Sequence, residues 1–431
     1  MLDINFIRQN KEQVEDSAKA KNIEVDVDKL LELDDKRRQL ISDIEEQRAK
    51  QNELSAQIPK ADESKKKDLL ASAAEIKKKI EDLSDKLVPL QEQYDQLILE
   101  VPNIYIDTPV GKTEEENKVV HEVGDKPNFD FKPKSHWEIA QNKGWIDKET
   151  AAKVSGARFT YLKGDLVKLQ MAIMQFTIDT LTDEGVIKKI IEDNKLKLDP
   201  KPFLPVLPPY MLKTDVFRAM DRLDPEEDRY KIDGDDLWLQ GSAEHVLGPV
   251  HMDEIIEEKD LPIRYLGYAT SFRREAGSYG ADMEGIFRLH QFDKLEMEVI
   301  STPETGMDEH KLAIAIQEYL MQQLEIPYHL LHKCTADIGK PNARGVDIEA
   351  WIPSQEKYRE THTADYMTDY QTRRLKTRIK KDGETVFAYT NDATAFALGR
   401  TMIAIIENNQ DKEGNVSVPK VLQKYMNKES I

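Results

Sequence analysis

One cysteine, Cys334, stands in 431 residues. That excludes a disulfide framework and a cysteine-rich zinc site, and a reducing cytoplasm is the simplest home. No run reaches the roughly 18 apolar residues of a membrane helix. The opening MLDINFIRQN alternates charged with apolar residues and lacks the apolar stretch of a signal peptide, so no membrane partner is expected. Neither GxxxxGK(S/T) nor GxGxxG occurs, so any nucleotide site is built without a glycine-rich phosphate loop. Positive charge is short too: 62 Lys and Arg against 81 Asp and Glu leave −19. So acidic a chain is a poor non-specific binder of nucleic acid, and a polyanionic partner must meet a local basic patch.

What is present divides in two. Leu30, Leu33, Arg37, Leu40, Ile44, Gln47, Gln51, Leu54 and Ile58 are spaced three and four apart, and so are Leu69, Ala73, Ile76, Ile80, Leu83, Leu87, Leu90, Tyr94 and Leu97. Both series follow the a/d rule of a coiled coil. Between them Pro59 breaks one helix and Asp62 can cap the next. This predicts an antiparallel helical hairpin over residues 1–102, roughly 40 Å long at ~1.5 Å per residue, kinked at Pro89. Its outer half carries Lys60, Lys65, Lys66, Lys67, Lys77, Lys78 and Lys79 and is net basic. A solvated helix surface and an arm tracking an RNA backbone both fit, and the heptads alone do not choose.

After Val101-Pro102-Asn103 prolines, glycines and short β-rich runs appear. Strands are expected at Ile263–Thr270, Phe287–Ile300, Gly345–Ile352 and Glu384–Thr390, with helices at Asp308–Leu324 and Thr401–Asn409. Residues 103–431 therefore read as an α+β domain on an antiparallel sheet. Strand periodicity puts Leu295, Met297 and Val299 on one face and Arg288, His290, Phe292, Lys294, Glu296 and Glu298 on the other. A guanidinium, an aromatic ring and a carboxylate at successive levels suit a phosphate, a purine and an ammonium. For that strand taken alone, a salt-bridged sheet surface is the favoured reading.

Further residues make the pattern recognisable. Phe272-Arg273-Arg274-Glu275-Ala276-Gly277 followed by Arg288-Leu289-His290-Gln291-Phe292-Asp293-Lys294-Leu295-Glu296 resembles motif 2 of class II aminoacyl-tRNA synthetases, in the form seen in seryl-tRNA synthetases. Asn391–Asn408 resembles motif 3. His136-Trp137-Glu138, Leu207-Pro208-Pro209-Tyr210, Cys334-Thr335-Ala336-Asp337 and Asp347-Ile348-Glu349-Ala350-Trp351 are similar as well, in the same order, so the likeness spans nearly the whole chain, arm included. A ligase acting on a carrier protein would lack the arm, and a catalytically silent relative would lose the charged residues kept here.

The resemblance implies serine–tRNA ligase activity with ATP as substrate and Mg²⁺ as metal. It assigns Arg273 to the ATP α-phosphate and the amino acid carboxylate, Glu275 to the adenine amino group and Phe292 to the adenine ring. Arg288 and Arg400 fall near the outer phosphates, with Arg273 and Arg400 catalytic. Serine would meet Ser242, Glu244, Arg273, Glu296 and Thr394, and Mg²⁺ would take Glu360 and Thr363. The resemblance also implies a cytoplasmic homodimer, with Lys201–Met211 at the interface, that charges tRNA(Ser) and, where present, tRNA(Sec).

There are departures. Ser242 replaces the usual Thr, Asp392 replaces Asn, and 361–365 reads Thr-His-Thr-Ala-Asp. Ala281 and Glu284 stand where arginines are common. Asp392 is expected near the substrate ammonium or beside the magnesium ligands. Lys188–Lys201 reads as a solvated charged insertion.

Overall fold

The computed structural model describes residues 1–275 and 284–431. Ala276, Gly277 and Ala281, singled out above, lie outside the described residues. The chain divides into two compact units, Met1–Ile104 and Tyr105–Ile431.

In the first unit, α1 (Ile4–Gln9) and α2 (Lys11–Ala20) precede two long helices, α3 (Val27–Gln57) and α4 (Glu63–Glu100). Pro59 sits in a tight turn, Ile58–Lys60, because a proline cannot donate the next helical hydrogen bond. The Asp62 carboxylate accepts from Lys65 N at 3.0 Å and starts α4. The two helices pack as an antiparallel hairpin. In α4 Leu69, Ala73, Ile76, Ile80, Leu83, Leu87 and Leu90 are half-buried, with mostly exposed residues between them. Each seam has a single partner helix, so no residue from Arg48 to Gln93 is fully buried. The helix continues through Pro89. At the hairpin's base Asp34 is buried between Arg8 Nη2 and Arg37 Nη2, both at 2.8 Å, and Arg37 also lies 4.4 Å above the Tyr94 ring.

In the second unit, eight strands among the described residues form one sheet. In chain order they are β1 (Lys118–Val123), β2 (Leu204–Val206), β3 (Ile263–Phe272), β4 (Gln291–Ser301), β5 (Tyr328–His332), β6 (Arg344–Ile352), β7 (Lys357–Thr368) and β8 (Tyr389–Ala397). Across the sheet they lie β1-β5-β6-β7-β8-β4-β3-β2, antiparallel except for β2 beside β3. Alternation on β4 sends Leu295, Met297 and Val299 into the main core. That core also takes α5 (His136–Lys143), α6 (Asp165–Leu181), α7 (Glu184–Asp193), α8 (Gly306–Gln323) and α9 (Leu398–Asn408).

Three expectations change. β4 starts at Gln291, so Arg288 and His290 precede it. Glu384–Thr390 is two pieces: Glu384–Phe387 pairs with Arg378–Lys381 in a small separate sheet, and Tyr389 opens β8. Lys188–Lys201 is not a solvated insertion. Ile190 and Ile191 are buried, Leu196 and Leu198 pack on the core, and the buried Arg264 donates to the carbonyls of Asp199 and Lys201. Lys188, Lys189, Glu192 and Asp193 read as solvated because they occupy the outer face of an amphipathic helix, α7.

Candidate active site

The central strands open onto a cleft of about 280 Å³. It gathers Arg273, Glu275, Arg288, Phe292, Glu360 and Arg400, with Thr363 and Thr394 also on its wall. Arg273 follows the end of β3, and its Nε donates to Gly241 O at 2.9 Å, which leaves the guanidinium 5.4 Å from the Phe292 centroid. Glu275 has a left-handed backbone, φ 53°. Its carboxylate pairs with Arg288 Nη1 at 2.8 Å. Arg288 precedes the strand, yet the ladder is prolonged by Arg273 N donating to His290 O at 3.0 Å, and this brings Arg288 to the cleft.

Arg400, in the first turn of α9, reaches β7: its Nη1 lies 3.1 Å from Glu360 Oε1. Burial works against the Glu360 charge, but Arg400, Lys333 and Arg273 outweigh it and hold the carboxyl below its ordinary range. Glu360 remains 49% exposed to the cleft. Thr363 accepts from Lys333 Nζ at 2.8 Å.

Ser242, Glu244 and Glu296 lie behind the cleft and are buried. Lys294 Nζ ties Ser242 to Glu296, 2.5 Å from Glu296 Oε2 and 3.1 Å from Ser242 Oγ. Thr394 stands opposite Glu296 in the β4–β8 pairing. Burial first, then Glu244 and Asp392, push the Glu296 carboxyl up to about 8 against the pull of Lys294. Glu244 pairs with its neighbour His245 at 3.4 Å, while its second oxygen is buried without a hydrogen-bond partner. Such a carboxylate can accept from an ammonium.

The departures also find places. Asp392 is buried and bonded to Arg222 Nη2 at 2.9 Å, and it does not line the cleft. Arg222 therefore already answers the charge that was expected to face an ammonium or a metal. Along β7, Thr361 and Thr363 face the cleft, while His362 packs on Phe396 at 5.3 Å. Glu284 is exposed.

Sequence reasoning missed Lys333. Its ammonium is buried between Asp347 (3.2 Å), Asp365 (3.0 Å) and Thr363. Gly345 makes the room, since a Cβ there would come 2.3 Å from Lys333 Cε. These residues come from β6, β7 and the segment after β5, so no local spacing announces them.

Arg273, Arg288 and Arg400, from the two segments that resemble motifs 2 and 3, thus meet in one cleft on an antiparallel sheet, as the likeness to class II aminoacyl-tRNA synthetases requires. The family model for the tRNA synthetase class II core domain (G, H, P, S and T) matches residues 228–409, and that for the seryl-tRNA synthetase N-terminal domain matches residues 1–105. The chain is 37% identical to a serine–tRNA ligase of Nitrosopumilus maritimus and 38% identical to one of Methanocella arvoryzae, over 99% of each chain. It superposes with a TM-score of 0.89 on the seryl-tRNA synthetase of Pyrococcus horikoshii complexed with ATP, at 36% identity, covering 100% of this chain and 99% of that one. This chain belongs to the seryl-tRNA synthetase family.

Proposed function

We propose that the chain activates serine with ATP and transfers it to tRNA(Ser), in the order its cleft supports. The serine carboxylate attacks the α-phosphorus and pyrophosphate leaves. The terminal ribose hydroxyl of the tRNA then attacks the adenylate carbonyl and AMP leaves. The observation that carries this reading is the buried Ser242–Lys294–Glu296 cluster, whose lysine is itself on the wall of the arginine-lined cleft. A carboxylate kept from water can accept from the substrate hydroxyl or ammonium, and an analogue without the hydroxyl leaves it unpaired.

Arg273 stabilises charge on the α-phosphate in flight. Phe292 offers its ring to adenine. Glu275 and Arg288 exchange their mutual pair for adenine and phosphate contacts, and Arg400 turns to the outer phosphates. Among the described residues no group of three His, Cys, Asp or Glu is arranged for a metal. On the cleft wall the Glu360 carboxyl, held below its ordinary range by Arg400, and the Thr363 hydroxyl are hard oxygen donors of the kind Mg²⁺ takes beside phosphates and water. Glu360 and Thr363 would hold it, and it would neutralise charge on the leaving pyrophosphate.

The basic outer half of the hairpin serves tRNA. The dimer forms through the β2 edge of the sheet, where Leu204 and Leu207 are 60% and 79% exposed. The single cysteine, Cys334, buried and free, suits a reducing cytoplasm as the place where the enzyme works.

The test follows labelled serine into acid-precipitable tRNA with ATP and Mg²⁺, with threonine, alanine and glycine as controls and tRNA(Sec) as a second acceptor. Serine-only charging is expected. ATP bound without charging contradicts the reading.

A further inference from the structure

His136 opens α5 and Glu407 lies two turns beyond Arg400 on α9; both are buried. Glu407 Oε1 lies 2.9 Å from the His136 backbone N–H and 2.9 Å from its ring Nδ1, while Oε2 accepts from Ser354 N at 3.1 Å. The other ring nitrogen, Nε2, accepts from the backbone N–H of Ile286 at 3.3 Å. A ring nitrogen that accepts an N–H carries no proton, so the proton sits on Nδ1 and is donated to Glu407. Gly285 passes so close that a Cβ there would lie 1.8 Å from Nε2, and its φ is +67°. Both conditions admit only glycine. The ring and the passing backbone are therefore fitted to each other.

After Ile286 comes Phe287, whose buried ring carries two guanidinium groups, Arg359 at 3.9 Å and Arg400 at 4.9 Å from its centroid. Ile286 and Phe287 both line the cleft. The cleft wall and α9 are thus joined twice, once through Ile286–His136–Glu407 and once through Phe287–Arg400. An arginine resting on a ring face loses rotational freedom; Arg400 gives Nη1 to the Glu360 carboxylate and carbonyl, and its remaining N–H groups can meet an anion.

We propose that His136 and Phe287 are positioning residues for Arg400: His136, oriented by Glu407, pins the wall at Ile286 so that the Phe287 ring supports the guanidinium. This rests on the reading of Arg400 as a contact to the ATP phosphates.

The test is serine-dependent ATP–pyrophosphate exchange by the full chain, with ATP and serine titrated separately and thermal unfolding recorded for each variant. Phe287→Leu is expected to raise the KM for ATP about five- to thirtyfold, the worth of one cation–π contact, with the KM for serine near the parent's. Phe287→Tyr keeps the ring face and should lie closer to the parent. His136→Ala should reproduce the shift on the ATP side. Parental ATP kinetics in Phe287→Leu and His136→Ala, or equal shifts in both KM values with a lowered Tm, overturn the proposal. Arg400→Ala separates the two claims. If it is impaired while Phe287→Leu is not, the inference alone fails; if it is unaffected, the reading of Arg400 fails and takes the inference with it.

Discussion

Glu298 stands directly across the β4–β8 ladder from Asp392, and both carboxylates are buried. Asp392 has Arg222 as its ion-pair partner, whereas neither Glu298 oxygen has a hydrogen-bond partner. Burial first, then Asp392, Glu244 and Glu296, hold the Glu298 carboxyl well above its ordinary range, opposed by Arg222. Burial likewise pushes Asp392 up to about 7, against Arg222.

This pair sets a pH dependence. A carboxyl whose folded pKa exceeds its unfolded value keeps a proton that the unfolded chain has released. Its stabilising contribution is whole below the unfolded pKa and drains as pH rises towards the folded one, by about 1.4 kcal/mol per pH unit per group. Glu298→Gln mimics the protonated form, so its Tm should fall less than the parent's between about pH 5 and about pH 8. Thermal melts across that window check this. An unchanged slope would show that Glu298 is charged in the fold.

Breaking the Arg222–Asp392 pair from one side should be costly. Above about pH 8, where Asp392 is ionised, Asp392→Asn leaves a buried guanidinium without its ion-pair partner, and a loss of about 3 kcal/mol is expected from denaturant unfolding. Adding Arg222→Met should recover part of it. Additive losses in the double variant would mean the pair is not coupled.

Glu296→Gln should act on the amino acid. A bound substrate ammonium would draw Glu296 into its charged form, and losing that charged acceptor is worth about 1.5–3 kcal/mol, roughly a ten- to hundredfold rise in the KM for serine in pyrophosphate exchange. The KM for ATP should stay near the parent's. A rise confined to ATP would move Glu296 out of the serine site.

The arm is tested by charge. Replacing the exposed Lys65, Lys66, Lys67, Lys77 and Lys78 with alanine should lower kcat/KM for tRNA charging and flatten its salt dependence. Pyrophosphate exchange, which needs no tRNA, should be unaffected. Charging at the parental rate and salt slope would mean these lysines form only a solvated face.

The hairpin is legible in the amino-acid sequence because heptad spacing, Pro59 and Asp62 act within a few residues of themselves. Arg273, Glu275, Phe292 and Glu296 are singled out by the likeness of their segments to motif 2, and the structure places the first three on the cleft wall and Glu296 in the buried cluster. Lys188–Lys201 misleads because charge on the outer face of a helix looks the same whether or not isoleucines are buried beneath it. The start of β4 misleads because Arg288 and His290 continue the alternation without continuing the strand.

The sequence by itself determined the two-part organisation, the antiparallel α+β character of the second part and the residue types a nucleotide and an amino acid require, all properties of local periodicity and motif. Tertiary structure alone decided that Arg222 answers Asp392, that Lys333 is clasped by Asp347 and Asp365, and that His136 bonds both Glu407 and Ile286. Those partners lie between 14 and 271 residues apart. They meet because sheet register and helix packing put them there, and burial then makes each missing partner expensive.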